Sequence, residues 1–314
     1  MTAQDKPSTL KIWLVAIRPF SLPASVMPVI FGTALAVTVG HAMFRLWLFL
    51  ASLFGMAMLH CGANLLNDVY DYRKHVDRQI NPVSGAVVRK WLTPQQALAG
   101  AWILFFLGTA LGFWIVSQVG MLILYLGAIG LLIGIAYSWG PWPLKFYALG
   151  DLAVFLNFGI LGALGAWTVQ TGSFSWIPAV WTIPMSLLVI GILHANNWRD
   201  IQSDARVHIK TVANLMGDQG SKFYYRFLLF GPFACILLII SGSRLLNTNV
   251  PMPWIFLITF LSLPLAVQLD KKGDYRKQAD QIQIFLALDG ATAQLNLLFG
   301  LLCTTAAILS IWLG

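Results

Sequence analysis

Asn67, Asp68 and Asp71, with Asp77 six residues on, form one short polar cluster; Asn196, Arg199, Asp200 and Asp204 form another, and each closes a long apolar run. Side chains four residues apart share one face of a helix, so Asn67 stacks with Asp71, Asn196 with Asp200 and Asp200 with Asp204, while Asn64 and Asp68 lengthen the first polar edge. Each helix then offers a stripe of oxygen donors without cysteine or a usable histidine pair. Such donors suit hard cations. Mg2+ accepts one or two carboxylates and keeps water and substrate phosphate oxygens as its remaining ligands. A carboxylate beside hydrocarbon is costly unless a cation meets it, which marks an intramembrane acidic group as a working site. Two matched clusters therefore predict a diphosphate bridged through Mg2+ between two helices. The competing structural reading has the aspartates capping helices or pairing with Arg73, Arg78, Arg199 and Arg206.

The remaining sequence must position these clusters in lipid. Hydrophobic residues make up 58% of the 314 and charged residues only 10%, more apolar than a soluble core of this length requires. Apolar runs at 22–39, 46–66, 97–116, 121–136, 152–169, 177–195, 227–240, 254–267 and 284–313 mostly approach the ~20 residues of a spanning helix. They are too continuous for barrel strands, which predicts an all-α integral membrane protein with nine transmembrane helices in one domain, 1–314. With the N-terminus in the cytoplasm, eighteen of the twenty Lys and Arg residues fall inside and only Arg45 and Arg244 outside. Both acidic clusters then face the cytoplasm. The net charge of +8 reads as a basic membrane rim for anionic lipid or substrate, and nucleic-acid binding is a poor explanation of it. The first ten residues are polar and too short for a secretory signal, so direct insertion is expected. Cys61, Cys235 and Cys303 lack metal-ligand spacing and read as packing. The Asn-x-x-x-Asp of Asn67 and Asp71 recurs 129 residues on at Asn196 and Asp200, each after an outside-to-inside helix, a weak internal echo.

Several motifs resemble those of the UbiA superfamily of intramembrane aromatic prenyltransferases. They are Arg18-Pro19, Asn67-Asp68-x-x-Asp71, Tyr137-Ser138 through Pro143, Gly150-Asp151, and Asn196-Asn197-x-Arg199-Asp200-x-x-x-Asp204 followed by Lys210-Thr211. The resemblance covers nearly the whole chain and implies a helical bundle around a central cavity. It implies Mg2+, in the number of two, held by Asn67, Asp68, Asp71, Asn196, Asp200 and Asp204. A polyprenyl diphosphate would lie against Lys145, with Arg73, Arg89, Arg206 and Lys210 as further cationic candidates and Asn64 on the same polar edge. The second signature, Gly85-Ala86-Val87-Val88-Arg89 and the step from Asp71 to Asp77 are similar to the branch that prenylates 1,4-dihydroxy-2-naphthoate, which implies a bacterial plasma membrane. The general pattern puts its third acidic residue at the position of His75, so Asp77 stands as either a metal ligand or the base toward the acceptor. Arg199 or Arg18 would hold the acceptor's carboxylate, and Tyr137 would sit at the cavity entrance. The same motifs admit 4-hydroxybenzoate or homogentisate as acceptor, or cyclisation of the prenyl diphosphate. A transporter is the reading outside enzymes.

Other residues read more plainly. The Trp and Phe side chains are expected to face lipid or anchor the interface, and His60 and His194 to be hydrogen-bonded in packing. Asp289 is expected either to support the site or to reach the membrane interface. Lys271 and Lys272, with Asp270 and Asp274, read as a solvated loop.

Overall fold

The computed structural model describes residues 7–74, 85–278 and 280–313, so Asp77 lies outside the described residues. Ser8 caps α1 (Thr9–Ile17) by accepting from the Lys11 amide, and α1 ends where Arg18 turns left-handed at φ 53° ahead of Pro19. Proline fixes its own backbone and disfavours helix in the residue before it, which makes this break local in origin. After a short turn, α2 (Pro23–Thr38) leaves at 54° to the preceding segment. α3 (Leu46–Arg73) is one unbroken helix of 28 residues, about 42 Å at 1.5 Å per residue, so the first acidic cluster rides on its last two turns. A reciprocal cap between Thr93 and Gln96 opens α4 (Pro94–Val119), and Gly120, at φ 112°, separates it from α5 (Met121–Ser138).

α6 (Gly150–Thr171) crosses next, with a π-helical stretch at Phe155–Leu161. The run at 177–195 is divided at Thr182, just before Pro184, into α7 (Trp176–Trp181) and α8 (Ile183–Arg199). Short α9 (Ile201–Arg206) carries the end of the second cluster. α10 (Val212–Leu245) kinks at Gly217, whose φ of 67° suits glycine. α11 (Trp254–Lys277) opens with 3-10 turns, and α12 (Ile282–Leu286) leads into α13 (Leu288–Leu313). There is no named strand among the described residues.

Among the described residues, seven helices are long and apolar enough to cross a membrane, and eight if α1 and α2 count as one bent span. The nine predicted spans are not reached on length and composition, because the break at Thr182 leaves α8 with 17 residues. Two apolar clusters flank the bundle interior. One joins Met27 and Phe31 of α2 to Leu188, Phe233, Phe256 and Phe299. The other joins Ile12 of α1 to Leu65, Leu66, Ala101 and Phe105. Between helices the contacts are close, as expected where lipid offers no hydrophobic drive and packing must hold the fold. A Cβ on Gly32 would collide with the backbone of Ala163, and one on Gly159 with Ser186. Phe106, Trp114 and Leu132 on α4 and α5 are exposed and face the lipid of a membrane protein. At the end that bears the acidic clusters, Arg226 and Lys222 of α10 pair with Asp270 and Asp274 of α11, and Arg276 pairs with Asp218 at 2.5 Å. The lysine-bearing segment is therefore tied down by ion pairs.

Candidate active site

A cavity of about 540 Å³ opens between α3, α5, α6, α8 and α9, and both oxygen stripes line it. Asn67 and Asp71 stand on one wall; Asn196, Asp200 and Asp204 stand on another. The chain brings the two walls together because α3 and α8 both end at this level and α9, just beyond α8, lines the same cavity.

On the α3 wall, Lys145 is the central cation. A 3-10 turn at Leu144–Phe146 between α5 and α6 returns it to the cavity, where its ammonium lies 2.5 Å from both Asn67 Oδ1 and Asp71 Oδ1. Ser138, the last residue of α5, also donates to Asn67 Oδ1 at 3.1 Å. The ammonium lies 5.0 Å from the centre of the Phe146 ring, which the Lys74 ammonium also faces at 4.3 Å. Asp68 points elsewhere. Its Oδ1 accepts from the Arg18 guanidinium at 2.8 Å, its Oδ2 is buried without a hydrogen bond among the described residues, and the residue is not part of the cavity wall. Adjacent residues on a helix do not share a face, so Asp68 turns away from the side on which Asn67 presents to the chamber, and its bond to Arg18 holds it there. The left-handed backbone at Arg18 carries its side chain toward Asp68 while leaving it on the cavity lining.

On the α8 wall, the Arg199 guanidinium is forked over Asp200, with Nε 3.1 Å from Oδ1 and Nη2 3.0 Å from Oδ2. It also donates to Asn196 Oδ1, and its Nη1 reaches Asp289 Oδ2 of α13 at 3.0 Å. This is the strong, directional arrangement that a planar guanidinium makes with carboxylates. Asp289 is thus buried against Arg199 and lines the cavity. The pairing of an aspartate with Arg199, the competing structural reading, is also present, and it coexists with a shared chamber.

The remaining expected residues divide. Asn64, Tyr137 and Arg206 line the cavity, and the Asn64 amide donates to Ile17 O at 3.0 Å and Ser21 Oγ at 3.2 Å. Arg73 stacks on Tyr70 at the surface, and Arg89 lies 4.7 Å from the Trp91 ring; neither is on the cavity wall. Lys210 lines a shallow neighbouring pocket with Tyr147, where its backbone bonds Phe146 and Ala148. Arg73 departs because it lies two positions from Asp71 and faces another side of the helix. His60 lies between Ser25 Oγ at 2.7 Å and Ser21 Oγ at 3.2 Å, and His194 Nε2 is 3.1 Å from Ser221 O, as expected of packed histidines. Sequence reasoning missed Asn157, which lines the cavity from the π-helical stretch. Its signal was present as the one asparagine within the apolar run at 152–169.

The donor set suits a hard divalent ion bound together with a substrate. Among the described residues no three acidic, histidine or cysteine side chains converge closely enough to hold an ion alone. That pattern matches Mg2+, which needs few protein carboxylates when phosphate oxygens complete its shell. The unbonded, buried Oδ2 of Asp68 leaves one more oxygen with capacity behind the α3 wall.

A helical membrane bundle that gathers carboxylates, carboxamides and cations around one intramembrane chamber defines a class of membrane enzyme built to hold an anionic substrate at the lipid boundary. The chain belongs to the UbiA prenyltransferase family, whose model matches residues 25–288, and it is a membrane-embedded prenyltransferase. It is 31% identical to 1,4-dihydroxy-2-naphthoate octaprenyltransferase of Bacillus subtilis, over 98% of this chain and 96% of that one. It is 33% identical to a UbiA prenyltransferase domain-containing protein 1 homolog of Drosophila melanogaster, over 95% of this chain and 79% of the fly protein. A UbiA homolog from Archaeoglobus fulgidus, solved with GPP and Mg2+, has the same fold, with a TM-score of 0.60 at 15% identity over 94% of this chain and 99% of that one.

Proposed function

We propose that the protein transfers a polyprenyl group from its diphosphate to 1,4-dihydroxy-2-naphthoate, with loss of diphosphate and CO2, and that residues 1–314 act as one prenyltransferase domain. The observation that carries this reading is the single chamber lined by Asn67, Asp71, Asn196, Asp200 and Asp204 and by Lys145, Arg18 and Arg199. The near full-length similarity to the Bacillus subtilis naphthoate enzyme supports this acceptor. Asn67, Asp71, Asn196, Asp200 and Asp204 would hold Mg2+, with Asp68 behind them. Mg2+ bound there would supply Lewis-acid neutralisation of the leaving diphosphate; a UbiA homolog from Archaeoglobus fulgidus has been solved bound to DMAPP or GPP together with Mg2+.

The protein's own groups do the rest. Lys145 exchanges Asp71 for a diphosphate oxygen and steadies the charge that grows as the allylic carbon–oxygen bond breaks. Arg206 extends the cationic rim. The electron-rich ring carbon attacks the allylic cation, and departure of the ring carboxyl as CO2 restores aromaticity. Arg18 or Arg199 holds that carboxylate until it leaves, and Asp77 either completes the metal site or takes a hydroxyl proton during attack and returns it to the quinol product. Ile133, Val154, Phe158, Val189 and Ile192 on the walls keep water from the cation. The basic rim orients the N-terminus and the site toward the cytoplasm of a bacterial plasma membrane.

Mass spectrometry of products from membranes given 1,4-dihydroxy-2-naphthoate, 4-hydroxybenzoate or homogentisate with several prenyl diphosphates tests the reading. The expected product is a prenylated naphthoquinol without the carboxyl carbon. Prenylation of 4-hydroxybenzoate alone, or release of diphosphate without any acceptor, overturns the assignment of substrate.

A further inference from the structure

Asn157 is a polar residue in the apolar half of the chamber. His60 lies seven residues before Asn67 on α3, so its level is about 10 Å below the oxygen rim at 1.5 Å per residue. The ring of Phe158 stacks on His60 with centroids 4.5 Å apart, which sets Asn157 at the same depth. Around it the wall is hydrocarbon, from Ile133, Val154, Val189 and Ile192. The nearby polar side chains of α2 and α3 are already engaged. His60 is bonded to Ser25 and Ser21, and the Asn64 amide to Ile17 and Ser21. The Asn157 carboxamide makes no hydrogen bond among the described residues.

Two features of the fold hold it there. The π-helical stretch at Phe155–Leu161 widens the turn that carries Asn157, a distortion that recurs at functional sites. Across the gap, α5 presents glycines: a Cβ on Gly130 would come within 3.0 Å of Asn157 Oδ1, and one on Gly134 within 3.6 Å of Nδ2. An amide with donors and an acceptor unspent in hydrocarbon is costly unless a ligand meets it. A prenyl chain offers it nothing. A hydroxyl on an aromatic ring can donate to Oδ1 and accept from Nδ2.

We infer that Asn157 is a specificity-determining residue that hydrogen-bonds a ring hydroxyl of the aromatic acceptor and sets the ring's orientation below the diphosphate. This rests on the transfer reading above and names the group that reads its acceptor. Each hydroxyl sits on a carbon ortho or meta to the reacting one, so fixing it on Asn157 sets the tilt at which the reacting carbon meets the diphosphate.

The test uses the full chain in nanodiscs with 1,4-dihydroxy-2-naphthoate, and with 1-hydroxy-2-naphthoate and 4-hydroxy-2-naphthoate as competitive inhibitors. Asn157→Leu is expected to raise the acceptor KM about ten-fold or more while the KM for prenyl diphosphate stays within about two-fold, since a site built for a hydroxyl is left unpaired by its loss. The wild-type chain should bind one monohydroxy analogue about ten-fold more weakly than the dihydroxy compound, and Asn157→Leu should erase that difference. Asn157→Gln should restore part of it. Unchanged prenyl-diphosphate KM shows that the variant is folded. If Asn157→Leu shifts the prenyl-diphosphate KM or product chain length and leaves acceptor discrimination intact, the residue serves the tail and the inference falls. If the wild type prenylates no aromatic compound at all, the transfer reading itself falls; if it prenylates and the variant discriminates as the wild type does, only the role of Asn157 is lost.

Discussion

Replacing Lys145 by methionine removes a cation that touches both Asn67 and Asp71, and the structure sets the size of the effect. Its ammonium is 2.5 Å from each oxygen, and the side chains of Lys145 and Asp71 are only 10% and 11% exposed. An exposed ion pair is worth at most about 1 kcal/mol, but removing one partner of a buried pair costs about 3–5 kcal/mol. Bound Mg2+ would meet the orphaned carboxylate of Asp71 in part, so the lower end applies to the loaded enzyme. That cost falls on stability; in catalysis, losing one preorganised donor to the developing negative charge costs about a hundred-fold or more, the fall expected in kcat/KM for prenyl diphosphate. The same change removes a cation competing for Asp71, so Mg2+ alone should bind more tightly to Lys145→Met than to the wild type. Steady-state kinetics with a prenyl diphosphate reads the first effect, and calorimetric titration of the nanodisc-embedded protein with Mg2+ alone reads the second. A variant that keeps kcat/KM within about three-fold, with unchanged Mg2+ affinity, refutes the exchange assigned to Lys145.

Alanine at Asp71 or Asp200 should cost at least about a hundred-fold in turnover at saturating Mg2+, and EDTA should abolish diphosphate release until Mg2+ is restored; normal turnover by either variant in purified protein would end the metal assignment. Gly32→Ala should lower stability by about 1–3 kcal/mol, because a Cβ there meets the backbone of Ala163 and the helices must separate. Thermal unfolding in detergent would register this as a lower midpoint, and an unchanged midpoint would mean that α2 and α6 are not held by that contact.

Much of the fold is legible in the chain because lipid imposes a simple demand on every spanning segment. The apolar run at 121–136 becomes α5 almost residue for residue, and the run at 46–66 continues to Arg73 because a helix entering the interface can carry its polar last turns. The break in the sixth run was harder to read. Pro178 and Pro184 flank it, yet prolines are tolerated in membrane helices when neighbours satisfy the freed backbone. At the site, Asn67, Asp71, Asn196 and Asp200 could be read from four-residue spacing, since that spacing alone fixes a shared face. Asp68 could not, because its partner Arg18 is placed by a backbone turn fifty residues earlier. Lys210 and Arg89 sit on loops, where position depends on tertiary contacts such as the bond from Lys210 to Phe146. Asn157 has no spaced companion, and the turn that aims it leaves no mark in hydropathy.

That turn also divides α6 into two segments in different phase. Its inner segment, Gly150–Val154, is set by the loop that delivers Lys145, whereas farther out Gly162 abuts Pro28 of α2. One residue of an ordinary helix corresponds to about 100° of rotation. Deleting a single residue from the regular helix beyond Leu161 would therefore swing the residues past it away from their docking face while leaving hydrophobicity and length almost untouched. Insertions and deletions in this crossing should be far less tolerated than substitutions, a pattern that variant libraries could read directly.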